Sequence, residues 1–406
     1  MKKIIALITL TLTLLSSCNK PDMTIKNATL IDTSQVNKIS TLLDDKLIAY
    51  RYIGDKLFTR WHIGISSGPE EEIDQYVHEL GYIDCNDNTF VKVAEVLPID
   101  EVGCNISADR NFIYYTYNEY PEGTPYPKTY EEQRALLFNT PTTVLQYNVK
   151  TGEVKTLTVE NYSGNTLPME NETAVMNSFR YSAGDLPEKE YVTYLDFKNG
   201  TSKVLYSKDD KKELEYSLLE AGQRYIFVYS LRNKDVTPFV KIIDTHDFSE
   251  KVVDVSGIVK DDEYFHRNIK NDTFFLYSDT DGKYGPIYKF SPENDFEIDE
   301  GKLSEIEEFH TYVSNTVGYE PGETRGKYFQ IENFITGERT ILDIDIDGFV
   351  PPILTQGTSL YHTSGENYIL YSGNDKIWSF YPVFNLQTDF KFYYVKGEEV
   401  YRAMGK

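Results

Sequence analysis

Seven polar turns, centred near residues 87, 152, 200, 247, 294, 337 and 388, punctuate the chain at intervals of 65, 48, 47, 47, 43 and 51 residues. A unit repeated at a near-constant period restricts the fold, because each unit buries its apolar face only against its neighbours. Each turn joins two aromatic or β-branched runs: Val144 to Val149 and Val154 to Leu157 around Lys150-Thr151-Gly152-Glu153, then Tyr191 to Phe197 and Thr201 to Tyr206 around Lys198-Asn199-Gly200. The same pattern returns at Phe239 to Asp244, Ile287 to Phe290, Tyr328 to Phe334 and Ile377 to Phe384, and an earlier hairpin pairs Gly81 to Asp84 with Thr89 to Val96. Gly and Asn at such turns supply the positive φ that a tight hairpin requires. A further strand-like run precedes several hairpins, at Phe112 to Tyr117, Arg224 to Ser230, Thr273 to Ser278 and Asn367 to Ser372, so each unit holds three or four strands. Four-stranded units of this length are the blades of a β-propeller. The expected fold is therefore all-β: a seven-bladed propeller, or a six-bladed one if the first hairpin belongs to a cap.

Other segments refine that picture. Lys46 to Ile53 is a candidate for the strand that closes the ring against the last blade. Helical spacing at Ser34 to Asp44 and at Pro69 to Leu80 places short helices on one rim. The long first interval contains an insertion, Glu119 to Pro141, in which Thr129-Tyr130-Glu131-Glu132 fits a capping box opening a helix. No Pro/Gly/Ser-rich linker divides the chain, which points to one domain over residues 40–406.

The N-terminus carries an address. Lys2 and Lys3 precede an apolar run from Ile4 to Leu15, too short for an ordinary spanning helix and suited to a signal peptide over residues 1–17. It ends in Leu15-Ser16-Ser17-Cys18, which resembles the bacterial lipobox, whose Cys is lipid-modified and becomes N-terminal. The alternative is an ordinary exported protein with Cys18 near the cut by coincidence. On the lipobox reading residues 18–39 form a tether, the protein sits in the cell envelope, and Asn19 after the Cys suits outer-membrane sorting. With 64 acidic against 41 basic residues and a net charge of −23, the chain is ill suited to nucleic acid or anionic lipid. Membrane attachment would come from acyl chains.

Ser107-Ala108-Asp109-Arg110-Asn111-Phe112-Ile113-Tyr114-Tyr115, followed by a hairpin closing on Thr151-Gly152-Glu153, resembles the blade consensus of TolB-type propellers, in which Ser-Pro-Asp-Gly precedes the strand. Together with the lipobox and the Tyr-rich strands, the sequence is similar to TolB-like propeller lipoproteins of the Bacteroidetes type. Ala108 replaces the consensus Pro and Arg110 the Gly, and later blades lack the motif. The resemblance implies fold and location and carries over no functional residue.

Several motifs suggest chemistry. Gly64-Ile65-Ser66-Ser67-Gly68 matches the G-x-S-x-G nucleophile elbow, but an elbow Ser needs a parallel sheet on both sides, and no βα alternation follows. A polar turn is the simpler reading of Ser66. Asp343-Ile344-Asp345-Ile346-Asp347-Gly348 reproduces the start of an EF-hand loop, yet Leu354 stands where the bidentate Glu belongs, and the strict alternation reads as a strand with Ile inward and Asp outward. The histidines, at 62, 78, 246, 266, 310 and 362, show no ligand spacing, so the sequence calls for no metal and no cofactor. Cys85 and Cys104 are either a disulfide, which an oxidising compartment permits, or two buried thiols. The 33 Tyr and 22 Phe serve chiefly as packing between blades, with some free to stack on sugar rings.

The function expected from these features is a lipid-anchored, non-catalytic propeller that binds a glycan, a peptide or an envelope protein. The alternative is a carboxylate-dependent enzyme acting on glycans in the propeller channel. Loops just before Asn111, Arg224, Thr273 and Asn367, read as entering the innermost strands, supply the candidate ligand-binding residues Asp109, Arg110, Gln223, Asp272 and Glu366. Their polarity suits a hydrophilic ligand.

Overall fold

The computed structural model describes residues 23–31, 46–66, 73–99, 102–125, 127, 129–160, 165–180, 189–208, 218–231, 237–259, 265–280, 283–314, 328–333, 336, 338–350, 353–354, 367–372, 376–377, 383–385 and 391–405. Two compact units emerge: residues 1–61, 81–91 and 310–406, and residues 62–80 and 92–309.

Four consecutive antiparallel meanders build most of the second unit. Sheet I runs Gly103–Ile106, Phe112–Asn118, Thr142–Asn148, Val154–Val159. Sheet II runs Thr166–Pro168, Thr173–Arg180, Lys189–Asp196, Thr201–Lys208. Sheet III runs Leu218–Ala221, Tyr225–Ser230, Phe239–Asp244, Glu250–Asp254, and sheet IV runs Phe265–Lys270, Thr273–Thr280, Lys283–Phe290, Asp299–Glu300. Strands neighbouring in sequence are neighbours in space, as in a propeller blade. The expected hairpins hold: Val154 faces Tyr147, Thr201 faces Asp196 and Glu250 faces Ile243.

Packing between sheets explains the aromatic content. Tyr114 and Val144 of sheet I bury against Met176 and Leu195 of sheet II; Val175 and Val192 of sheet II bury against Ile226 and Val228 of sheet III; Phe227 and Tyr229 of sheet III bury against Phe274 and Leu276 of sheet IV. Two devices repeat at the third turn of successive sheets. A Phe beside the turn meets a Tyr of the preceding sheet edge-on: Phe197 on Tyr114 at 5.5 Å, Phe248 on Tyr194 at 5.6 Å, Phe296 on Tyr225 at 4.8 Å between ring centroids. Three residues beyond the positive-φ positions Gly152, Gly200 and Phe248, a Lys at the edge strand reaches the next sheet. Lys155 Nζ lies 2.6 Å from Glu172, Lys203 Nζ 3.5 Å from the Phe248 ring centroid, and Lys251 Nζ 2.9 Å from both Asp295 and Glu297.

The insertion in sheet I forms helix α1 (Tyr130–Asn139), and its capping box is present: the Glu132 amide donates to Thr129 Oγ1 and the Glu132 carboxylate accepts from the Thr129 amide. The helix rests on the stretch before the sheet, with Leu137, Ile99 and Tyr120 packed together.

In the first unit, Thr311–Ser314, Tyr328–Asn333 and Arg339–Ile344 form a meander whose edge is taken by Thr24–Ile25, running parallel to Asp343–Ile344. A second sheet has the order Thr29–Ile31, Lys391–Lys396, Asn367–Ser372. Helix α2 (Gly397–Ala403) follows directly, and Val400 joins Ile25, Phe329, Leu342, Leu370 and Val395 in one core. Part of the stretch read as a tether is therefore folded. Lys46–Ile53 pairs with a C-terminal strand, Val383–Asn385.

Two expectations are corrected. The described part of the stretch Pro69 to Leu80 is not a rim helix: Ile73–Asp84 is a strand, with His78 to Ile83 buried without interruption, and burial there on both faces erases the period that would mark it as a strand. The last hairpin does not form around Thr388, because Lys391–Lys396 pairs with Asn367–Ser372 and not with Val383–Asn385. Ser34 to Asp44 lies outside the described residues.

Candidate functional site

Three of the turn residues expected at a channel mouth hold turns together. Asp109 Oδ1 accepts from Ser107 Oγ at 2.6 Å and from the Asn111 amide at 3.1 Å. Burial pushes this carboxyl up, but these hydrogen bonds prevail and leave it below the usual carboxylate range. Arg110 takes φ 57°, the conformation for which the consensus Gly is suited. Asp272 reaches from sheet IV to sheet III, where its Oδ1 accepts from the amides of Arg224 at 2.8 Å and Tyr225 at 3.2 Å. The Gln223 carbonyl in turn accepts from the Glu170 amide of sheet II at 3.0 Å. Gln223 and Asp272 thus stitch three successive turns, while Asp109 and Arg110 belong to the separate turn of sheet I. Glu366 and Cys18 lie outside the described residues.

These turns enter the second strand of each sheet, not the innermost. The first strands of sheets I to III are too short to leave a periodic signal, four residues at Gly103–Ile106, three at Thr166–Pro168 and four at Leu218–Ala221. The fourth strands form the outer edge, alternating exposed and half-buried at Val154–Val159 and Glu250–Asp254. First strands approach one another instead: Asn105 Nδ2 donates to Asn165 Oδ1 at 2.5 Å and to the Thr166 carbonyl at 2.7 Å.

The row of first strands carries a chemistry the sequence reading missed. On Leu218–Ala221, Leu219 and Ala221 pack towards sheet II, so alternation turns Glu220 towards sheet IV. On Phe265–Lys270, Phe265 and Ile269 pack towards sheet III, so Arg267 faces Glu220. The Arg267 guanidinium lies 5.7 Å from the ring centroid of buried Tyr229, a cation–π contact. Burial pushes the Glu220 carboxyl above its ordinary range, and the Arg267 charge only partly offsets it. On the opposite face of the same strand, Asn268 Nδ2 donates to Tyr277 Oη at 2.6 Å and His266 stacks on Tyr277 at 5.4 Å. An acid–base pair half-withdrawn from water beside the Tyr229 ring can pair with charged or hydroxyl-rich ligands.

The remaining motifs resolve simply. Ile344 and Ile346 are buried and Asp343, Asp345 and Asp347 exposed, the alternation of a strand and its extension. Among the described residues no group of three or more His, Cys, Asp or Glu is placed to hold a metal. Ser66 is the last residue of the strand Lys56–Ser66. Cys85 is buried and Cys104 half-buried; burial, reinforced by Asp55 and Asp84, pushes the Cys85 thiol up to about 12. Among the described residues no helix is long and apolar enough to cross a membrane.

No protein-family model matches the sequence, and no curated protein matches it. Solved structures similar to the chain include an oligogalacturonate lyase from Vibrio parahaemolyticus, at 11% identity over 86% of this chain and 91% of that one, with a TM-score of 0.42. The β-propeller domain of the Trilobed protease from Pyrococcus furiosus matches at 13% identity over 72% and 79%, with a TM-score of 0.39. A prolyl endopeptidase matches at 11% identity and a TM-score of 0.40, and the match covers 80% of this chain but only 43% of that protein. At these scores the likenesses bear on no activity, and the four meanders themselves carry the fold.

Proposed function

We propose that this chain is a lipid-anchored β-propeller of the cell envelope, of seven blades or six, that binds a hydrophilic ligand or partner along the first strands of its blades without transforming it. The observation that supports this reading is the Glu220–Arg267 pair, which the fold withdraws partly from water on the strands that approach one another. Perturbed ionisable groups of this kind concentrate at functional sites. Binding to an array of glycans and peptides tests it: Arg267→Ala should lose at least tenfold in affinity for whatever the wild type retains, with the fold intact by circular dichroism. Equal retention by both proteins would refute the assignment. A lipid anchor at Cys18 and an outer-membrane address are part of the same proposal. They rest on the lipobox and are tested by whether Cys18→Ser releases the protein from membranes.

One observation favours a second reading. Burial raises the Glu220 carboxyl above its ordinary range, the direction in which a general acid for glycoside cleavage is tuned. Release of reducing ends by the wild type and its loss in Glu220→Gln would promote the enzyme over the binding protein.

A further inference from the structure

The N-terminal segment of the first unit is sewn into the C-terminal one. The Glu399 carboxylate accepts from the amides of Lys26 at 2.8 Å and Asn27 at 3.1 Å, and Arg402 grips it at 2.8 and 2.9 Å while also donating to the Thr24 carbonyl at 2.9 Å. Met23 follows Cys18 by five residues, a length of chain that spans at most about 18 Å. On the anchoring reading proposed above, that leash keeps this edge of the first unit close to the bilayer.

A cleft of about 640 Å³ lies at the same edge, lined by residues that include Lys26, Asn27, Lys396, Glu398, Glu399 and Arg402. Among the described residues of the lining, the exposed charges are Lys26, Lys396 and Arg402, the last engaged with Glu399, on one side of the balance and Glu398 on the other. Both signs sit together, in a chain whose net charge of −23 repels an anionic bilayer surface. A ligand with no net charge but a separated phosphate and ammonium satisfies both conditions. The cations suit the phosphate; a primary ammonium can hydrogen-bond to a carboxylate such as Glu398, which a quaternary one cannot. Quaternary ammonium groups are recognised by aromatic cages, and among the described residues the lining contains a single aromatic one, Tyr394. We propose that this cleft takes the phosphoethanolamine headgroup of a bilayer lipid and so seats the first unit on the membrane to which Cys18 ties it.

The test uses the Cys18→Ser chain from residue 18 onward, titrated calorimetrically with glycerophosphoethanolamine, glycerophosphocholine and inorganic phosphate. Saturable millimolar binding of glycerophosphoethanolamine is expected, with the choline compound and phosphate alone at least fivefold weaker. Lys396→Ala and Glu398→Ala, both exposed and outside the Glu399 clamp, should each weaken it at least fivefold, and vesicles containing phosphatidylethanolamine should retain more protein than phosphatidylcholine vesicles. No saturation, no preference over the choline compound, or unchanged variants would overturn the proposal. Because this chain has no acyl group, a failure of anchoring shows instead in the fractionation of the wild type.

Discussion

Single side chains at the turns do more for cohesion than their polarity suggests. Asp272 serves two amides of the neighbouring sheet, and the close approach is possible only because residue 222 is Gly: a Cβ there would lie 2.3 Å from Asp272 Oδ1 and 3.0 Å from its Cα. Gly222→Ala should therefore destabilise the protein by about 1–3 kcal/mol, measured by denaturant unfolding. Asp272→Ala, which leaves two amides without their acceptor, should cost a similar amount. Glu399 makes the case for pH. Hydrogen bonds from Arg402, against the opposing effect of burial, and from the Lys26 and Asn27 amides hold its carboxyl at about 2, well below the ordinary 4.5. A depressed carboxyl contributes stability that is present above its unfolded value and lost as pH falls towards its folded one. The N-terminal segment should thus detach between about pH 4.5 and 2, seen as rising hydrogen exchange at residues 24–31, and Glu399→Gln should weaken its protection already at neutral pH.

At the scale of elements, the third turns tie the sheets together. Phe248 and Phe296 occupy positive-φ positions, at 61° and 58°, where a sequence reading expects Gly or Asn. Their edge-on contacts with Tyr194 and Tyr225 show what offsets that conformation. Phe296 is buried, so Phe296→Ala should cost about 3–5 kcal/mol, whereas Lys203→Ala, removing one cation–π contact at the surface, should cost about 1 kcal/mol or less by the same unfolding measurement. Hairpins with Gly turns, such as those at Gly152 and Gly200, were legible because both the turn chemistry and the flanking alternation survive in the sequence. The strand Ile73–Asp84 was not, since its stretch His78 to Ile83, covered on both faces, carries no period of two. Nor were the first strands of sheets I to III, which at three or four residues are too short to show any period.

For the whole molecule, the proposed binding reading places a ligand against those first strands. The turn residues Asp109, Arg110, Gln223 and Asp272 were legible as polar loops, and in the second unit they cap and stitch turns. Glu220 and Arg267 were invisible as a pair because their proximity comes from two sheets packing face to face, 47 residues apart in sequence. The most direct measurement is hydrogen exchange of the protein with and without a ligand found on the glycan and peptide array. The account expects new protection at Leu218–Ala221 and Phe265–Lys270, with the turns at Asp109 and Asp272 unchanged. Protection confined to those turns, with the first strands unaffected, would contradict it.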